Sequence, residues 1–355
     1  MRRVALLLLC WSFAVQPTIA QDVDVDLHTL VMFYGDNTEF SNPFREGETL
    51  LGAWAKVFAE ARLNERLAVR AGVFGNQRFG SDRSFDEVRP VLALVVGGPR
   101  SRLMFGTLET VRRAEGPGPD RTGPHGLLPP VQRETLAFDR PWEAGLQWTL
   151  DSARVTHDWW VHWQRVNTRE QRELFDAGST SRIRLHRALT LRTDAHVVHQ
   201  GGQLSSNGPV ADSMAATAGV EAAGPAGSVD RLSLEAFGLV SRYVPDRERP
   251  DQSRTGFGAL FRVSTEKDGW RLHGILWRAG DFIKQEGDLH YQSLRRDGTK
   301  YRNLRDYAEA GLTRTFRLAS DSFVEASVRW HRVEDRYEYS YRVLAVAKLR
   351  SRLTR

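Results

Sequence analysis

The chain has 355 residues, with 50 basic against 44 acidic side chains, a formal net charge of +6 and one cysteine, Cys10. The charges are spread along its whole length without a Lys/Arg block, which argues against a nucleic-acid-binding protein, and a lone cysteine excludes a disulfide framework or a cysteine metal site. A mean hydropathy of −0.44 suits a water-soluble protein and a membrane β-barrel equally, because every second residue of a barrel strand faces water.

Taken from the start, residues 1–20 read as a signal peptide. Arg2 and Arg3 form its positive end, and Val4 to Val15 its apolar stretch, too short for a stable membrane anchor. Thr18-Ile19-Ala20 offers a small-residue cleavage site. Cys10 lies inside it. Residues 21–355 are expected to form one exported unit, an outer-membrane barrel with an inserted loop at 110–141. No apolar run there approaches the roughly 18 residues of a transmembrane helix.

Alternation with period two then recurs along the chain. Leu51, Ala53, Ala55, Val57, Ala59, Ala61 and Leu63 share one parity, and Trp54, Lys56, Glu60 and Arg62 the other. A strand places the two sets on opposite faces, whereas a helix would mix them. The same pattern returns in Leu67–Val73, Trp142–Leu150, Leu189–Val197, Met214–Ala222, Val324–Trp330 and Tyr339–Leu349. Several runs reach the roughly 9–11 residues that a tilted strand needs to cross hydrocarbon.

The connections alternate in length. Short turns are expected at Asn64-Glu65, Gly97 to Arg100, Asp151-Ser152, Arg187-Ala188, Gly224 to Ser228, Lys267 to Gly269 and Ala319 to Asp321. Between them lie mostly longer polar segments at 35–47, 110–141, 167–179, 200–212, 244–254 and 279–305, with short ones near 80–84 and 332–336. Short turns at one end and long loops at the other mark an outer-membrane barrel with periplasmic termini. The fold expected is all-β: an antiparallel up-and-down transmembrane barrel of about 16 strands, with 14 to 18 compatible with the weaker segments. Aromatics on the lipid-facing parity would form two girdles, Trp142, Trp163, Trp330, Tyr339 and Tyr341 at the outer interface and Trp148 and Trp270 at the inner one.

With these features the chain resembles the general bacterial porin type over residues 26–350. It departs from it at the end, where Arg350-Ser351-Arg352-Leu353-Thr354-Arg355 replaces the terminal aromatic common in such barrels. The resemblance implies that the third outer loop, 110–141, folds inward and narrows the lumen, with Arg112, Arg113, Asp120, Arg121 and His125 as constriction candidates. A homotrimer is implied in the same way.

The inward parity carries Lys56, Arg62, Arg66, Arg70, Arg102, Arg182, Arg184 and Arg192, with Glu60 and Asp194 among the acids. Such groups set channel selectivity, and the basic excess points to a weak anion preference. The inward aromatics Trp54, Phe58, Phe74, Trp160 and Trp277 form either a solute track or the packing for an inserted loop. The function expected is passive diffusion of small hydrophilic solutes or ions across the outer membrane. A substrate-specific transporter and a soluble secreted all-β binding protein are the alternatives. The partners expected are the bilayer and small solutes.

No catalysis, cofactor or metal is expected. His157 is the one histidine on the lipid-facing parity, and no serine partner for it is apparent. Asp158 with His162, Arg184 with His186, and Asp194 with His196 read as polar pairs. No nucleophile-elbow, phosphate-loop or zinc spacing occurs.

Overall fold

A computed structural model of the chain describes residues 23–110, 124–205, 208–319 and 321–353. The expected signal peptide therefore lies outside the described residues, as do Arg112, Arg113, Asp120 and Arg121.

Sixteen antiparallel strands close into one barrel. They are β1 (Asp24–Ser41), β2 (Glu46–Asn64), β3 (Leu67–Arg78), β4 (Glu87–Gly97), β5 (Ser101–Thr107), β6 (Ala144–Asp151), β7 (Val155–Arg165) and β8 (Glu173–His186). β9 (Leu189–Gly201), β10 (Ala211–Ala226), β11 (Val229–Val244), β12 (Arg254–Lys267), β13 (Trp270–Gly280), β14 (Arg305–Ala319), β15 (Ser322–Val333) and β16 (Arg336–Arg352) complete it. β16 pairs with β1, from Asp26↔Arg352 to Glu39↔Tyr339, so the last strand closes the barrel despite its basic tail. Closure removes every sheet edge, which lipid would otherwise leave with unpaired amides.

Each expected short turn joins a strand pair, and the long connections collect at the opposite, outer end. Burial is inverted relative to a soluble domain. Phe33, Leu51, Leu92, Phe105, Phe261 and Leu276 are exposed on the outer wall, whereas Asp36, Arg70, Arg192 and Glu309 are buried inside. Trp163, Trp330, Tyr339 and Tyr341 point outward toward the outer end of their strands, and Trp148 and Trp270 toward the short-turn end. Trp142, expected in the outer girdle, instead precedes β6 and packs against the inner cluster around Phe138, where strand parity does not apply.

The outer half of the lumen holds a packed apolar core, contributed by two inward loops. From the loop between β5 and β6, Leu127, Leu128 and Val131 meet Phe282 and Tyr291 of the loop between β13 and β14, against Trp160, Leu260 and Trp277 of the wall. A one-turn helix α1 (Leu136–Asp139) inserts Phe138 between Tyr34, Trp54 and Phe74. Each such side chain contributes about 1.5–3 kcal/mol on full burial. Two glycines make room for the wall tryptophans: a Cβ on Gly178 would lie 2.4 Å from the Trp160 ring, and one on Gly258 2.1 Å from the Trp277 ring. Trp54, Trp160 and Trp277 thus serve loop packing rather than a solute track.

Candidate active site

Four adjacent strands each bring polar side chains to one inner surface near the outer end: His273 on β13, Tyr307 and Glu309 on β14, His331 on β15 and Ser340 on β16. Ser340 Oγ lies 2.8 Å from His331 Nε2. Tyr307 OH lies 2.8 Å from His331 Nδ1 and donates its proton to Glu309 Oε2 at 2.7 Å. Glu309 Oε1 lies 2.9 Å from His273 Nε2.

The bonding assigns the imidazole tautomer. Tyr307 has one hydroxyl proton, and Glu309 takes it, so toward His331 the phenol oxygen only accepts. Nδ1 therefore carries the ring proton and Nε2 presents its lone pair to the Ser340 hydroxyl. That is the arrangement in which a histidine accepts a serine proton while a third group orients the ring. Glu309 Oε2 stands 3.6 Å from His331 Nδ1 and provides the compensating negative charge.

Around this row lie buried cations. Arg342 donates to Asp36 at 2.7 Å and to Glu134 at 2.6 Å, and Arg329 donates to the same Glu134 oxygen at 3.0 Å. Arg329 Nε is buried without a hydrogen-bond acceptor, 3.9 Å from Glu309 Oε1. Arg45 pairs with Asp288 at 2.7 Å. Burial alone would raise the Asp288 pKa, but the guanidinium outweighs it and holds the carboxyl below its usual range. The space beside Ser340 is about 30 Å³, enclosed in part by Phe40, Pro129, Thr135, Asp288, His290 and Tyr291, enough for about one water.

The residues singled out from the sequence fall elsewhere. Lys56, Glu60, Arg62, Arg70, Arg102, Arg182 and Arg184 line one chamber of about 640 Å³ in the short-turn half of the lumen. Most of them are paired: Arg70 with Glu60 at 2.8 Å and Glu109 at 2.7 Å, and Arg102 with Glu109 at 3.1 Å. Glu109, pushed up by burial, is pulled down to about 2 by Arg70 and Arg102. Arg192 and Asp194 form a buried pair at 2.8 Å higher up, where Arg192 also donates to the Gly126 carbonyl at 2.6 Å. Arg66 is not in the lumen: it lies exposed in the turn between β2 and β3, where the parity of the strand no longer applies. His125 stacks on Trp160 at 3.8 Å and bridges Asp158 and Glu143, each at 2.9 Å, which pins its loop to the inner wall.

Two expected pairs and the reading of His157 are also corrected. Asp158 bonds to His125 and Gln147 rather than His162. His196 stands beside Asp176, 3.6 Å away, while Asp194 pairs with Arg192. His157, expected to lack a serine, has Ser181 Oγ 2.7 Å from its Nδ1, on the lipid-facing wall toward the short-turn end. The Ser340 row itself escaped notice, although one signal was available. A two-residue turn at 334–335 sets His331 opposite Glu338, and Ser340 follows two residues on, within diagonal reach on the same face.

A family profile described as "Lipid A 3'-O-deacylase-type" matches residues 15–355. No curated protein matches the sequence. Among solved structures, a loop-deleted form of OmpT, an outer membrane protein of Vibrio cholerae, superposes with a TM-score of 0.57 at 10% identity, covering 93% of this chain and 100% of that one. A trimer form of OmpT gives 0.53 at 10% identity with the same coverage. OccK1 of Pseudomonas aeruginosa gives 0.51 at 11% identity, covering 92% and 99%. At such identities the likeness concerns the fold, an outer-membrane barrel. The matching profile describes enzymes, which overturns the expectation of a barrel without catalysis.

Proposed function

The chain belongs to the lipid A 3'-O-deacylase-type family, and on that footing we propose that it hydrolyses an acyl ester of lipid A, with Ser340 as nucleophile and His331 as general base. The observation that carries the assignment is the Ser340–His331 contact with its tautomer set by Tyr307 and Glu309. Depth agrees with it. Trp330 and Tyr339, next in sequence to His331 and Ser340, point outward, where aromatic rings sit at a membrane interface and acyl esters lie nearby.

In this reading the Ser340 oxygen attacks the ester carbonyl carbon as its proton passes to His331 Nε2. The oxyanion is met by the unpaired Arg329 Nε–H. Collapse breaks the ester bond, the sugar oxygen leaves with the proton from His331, and an acyl-serine remains. Water then attacks it, giving up a proton to His331, and the fatty acid departs as Ser340 is restored. Cells that make the wild-type protein should yield lipid A short of one acyl chain by mass spectrometry, and cells making Ser340→Ala should yield it intact. Unmodified lipid A from wild-type cells, or trimmed lipid A from the variant, would refute the assignment.

A second reading, passive diffusion with a weak anion preference, draws support from the chamber of about 640 Å³, whose lining has more arginines and lysines than carboxylates. Against it stands the packed outer half, which has to open before a solute can pass. Planar-bilayer recording decides between them: this reading requires steady conductance with an anion-directed reversal potential in a salt gradient, and a silent bilayer ends it. A homotrimer is a proposal of the same rank, supported by the trimer form of a fold relative and checked by the mass of the detergent-solubilised protein.

A further inference from the structure

We propose that His196, Asp176 and Glu286 bind a divalent transition-metal ion that clamps the loop between β13 and β14 to the barrel wall. Ligand atoms of these three residues lie within 4.8 Å of one another. Asp176 stands on β8 and His196 on β9, paired strands whose inner faces meet the loop that carries Glu286.

The observation that points to a ligand is the state of His196. Its side chain is 0% exposed, yet neither ring nitrogen has a hydrogen-bond partner among the described residues. The nearest acceptor, Asp176 Oδ1, is 3.6 Å from Nε2, beyond a real hydrogen bond. A buried imidazole left in this way is destabilising, because its desolvation is not offset. A metal ion bonded to one nitrogen removes much of that cost, because it replaces the missing partner.

The carboxylates suit the same role. Asp176 is 2% exposed and pairs with no arginine; it accepts from Trp160 Nε1 at 3.1 Å and Gln164 Nε2 at 2.7 Å. Such neutral donors orient a ligating carboxylate without neutralising it. The hydrogen bonds to the Glu286 carboxylate, from Arg140 at 2.7 Å and Gln164 at 3.4 Å, all go to Oε1 and leave Oε2 open. Glu286 holds a left-handed backbone, φ 71°, an unfavourable conformation for this residue that turns the loop at this point. His162 Nδ1 pairs with Asp176 Oδ2 at 3.3 Å and is not one of the clustered ligands. Lys284 of this loop also stands near the cluster, and its ammonium donates to the Gln285 carbonyl at 2.7 Å.

A second cluster, Asp26, His28 and Glu60, has similar spacing but a different environment. Arg350 and Arg62 hold Asp26, and Arg70 and Arg62 hold Glu60, so both of its carboxylates are paired with guanidinium groups, whereas in the first cluster Glu286 alone is, with Arg140. Mixed imidazole and carboxylate donors favour zinc and its transition-metal neighbours over calcium or magnesium. Zinc would draw the donors to about 3.4 Å from one another, a small inward shift for a loop side chain.

The test uses the full chain without a histidine tag, folded in detergent, stripped with chelator and titrated with zinc chloride alone. The wild type should bind one tight equivalent and His196→Ala and Glu286→Gln should bind it at least about tenfold more weakly. Zinc should also slow tryptic cutting at the exposed Arg295 and Arg296 in the wild type and in neither variant. Glu286→Gln lies in a loop and leaves the strands intact, and heat-modifiable migration verifies folding of each protein. No zinc uptake by the folded wild type, uptake equal in all three proteins, or loss in one variant alone would each overturn the site.

Discussion

At the scale of single residues, His125 shows most clearly how charge holds this barrel's interior. Burial by itself would lower the imidazole pKa, but Glu143 and Asp158 on either side outweigh it and raise it from 6.5 to about 10. The folded value lies above the unfolded one, so the contribution is complete below about pH 6.5 and fades as the pH climbs toward 10. Amide protection factors across residues 124–143, which remove the intrinsic base-catalysed rise in exchange, should therefore fall over that alkaline interval, while those of the barrel strands hold. His125→Ala leaves two buried carboxylates facing each other, a loss of about 3–5 kcal/mol in loop attachment, and should abolish the pH dependence. Protection factors unchanged between pH 6 and 10 would refute the bridging imidazolium. The residue types involved were visible in the sequence, and His125 stood among the constriction candidates. Its partners were not, because the path of a 36-residue connection between β5 and β6 carries no period from which contacts can be read.

Elements divide into those whose place follows from pattern and those whose place follows from packing. Short turns were legible almost to the residue, since alternation over long runs and turn chemistry leave few other registers, but β1 runs on to Ser41 and β8 begins at Glu173, inside the segments 35–47 and 167–179 expected as loops. The two inward loops were not. Their apolar residues Leu127, Leu128, Val131 and Phe282 look like any loop residues until Gly178 and Gly258 on the wall are seen to lay Trp160 and Trp277 flat beneath them. Glu134 joins the two systems, since its one oxygen accepts from both Arg329 and Arg342. Glu134→Ala should remove the loop acceptor shared by both guanidinium groups, leaving Arg342 on Asp36 alone, and loosen α1, with faster exchange over 124–143 and 281–304, while heat-modifiable migration persists. Unchanged protection of those loops would show that apolar packing alone holds them.

For the whole molecule, the barrel supplies a rigid wall and the loops supply the roof of a closed site. Membership of an enzyme family was beyond reach of the sequence features used here, because no local motif joins Ser340, His331, Tyr307 and Glu309; hairpin register does. The same architecture explains why a charged lumen suggested a pore. Guanidinium–carboxylate pairs fill the interior of a wide barrel whether or not solute passes, and here the outer half is packed. The most direct measurement is fatty-acid release from lipid A by the purified protein in detergent, with Ser340→Ala and Ser181→Ala compared. Release by the wild type and by Ser181→Ala, with a fall of about 10³-fold or more in Ser340→Ala, is the predicted result. Release that survives in Ser340→Ala, or that disappears only in Ser181→Ala, would place the chemistry outside the lumen and contradict this account.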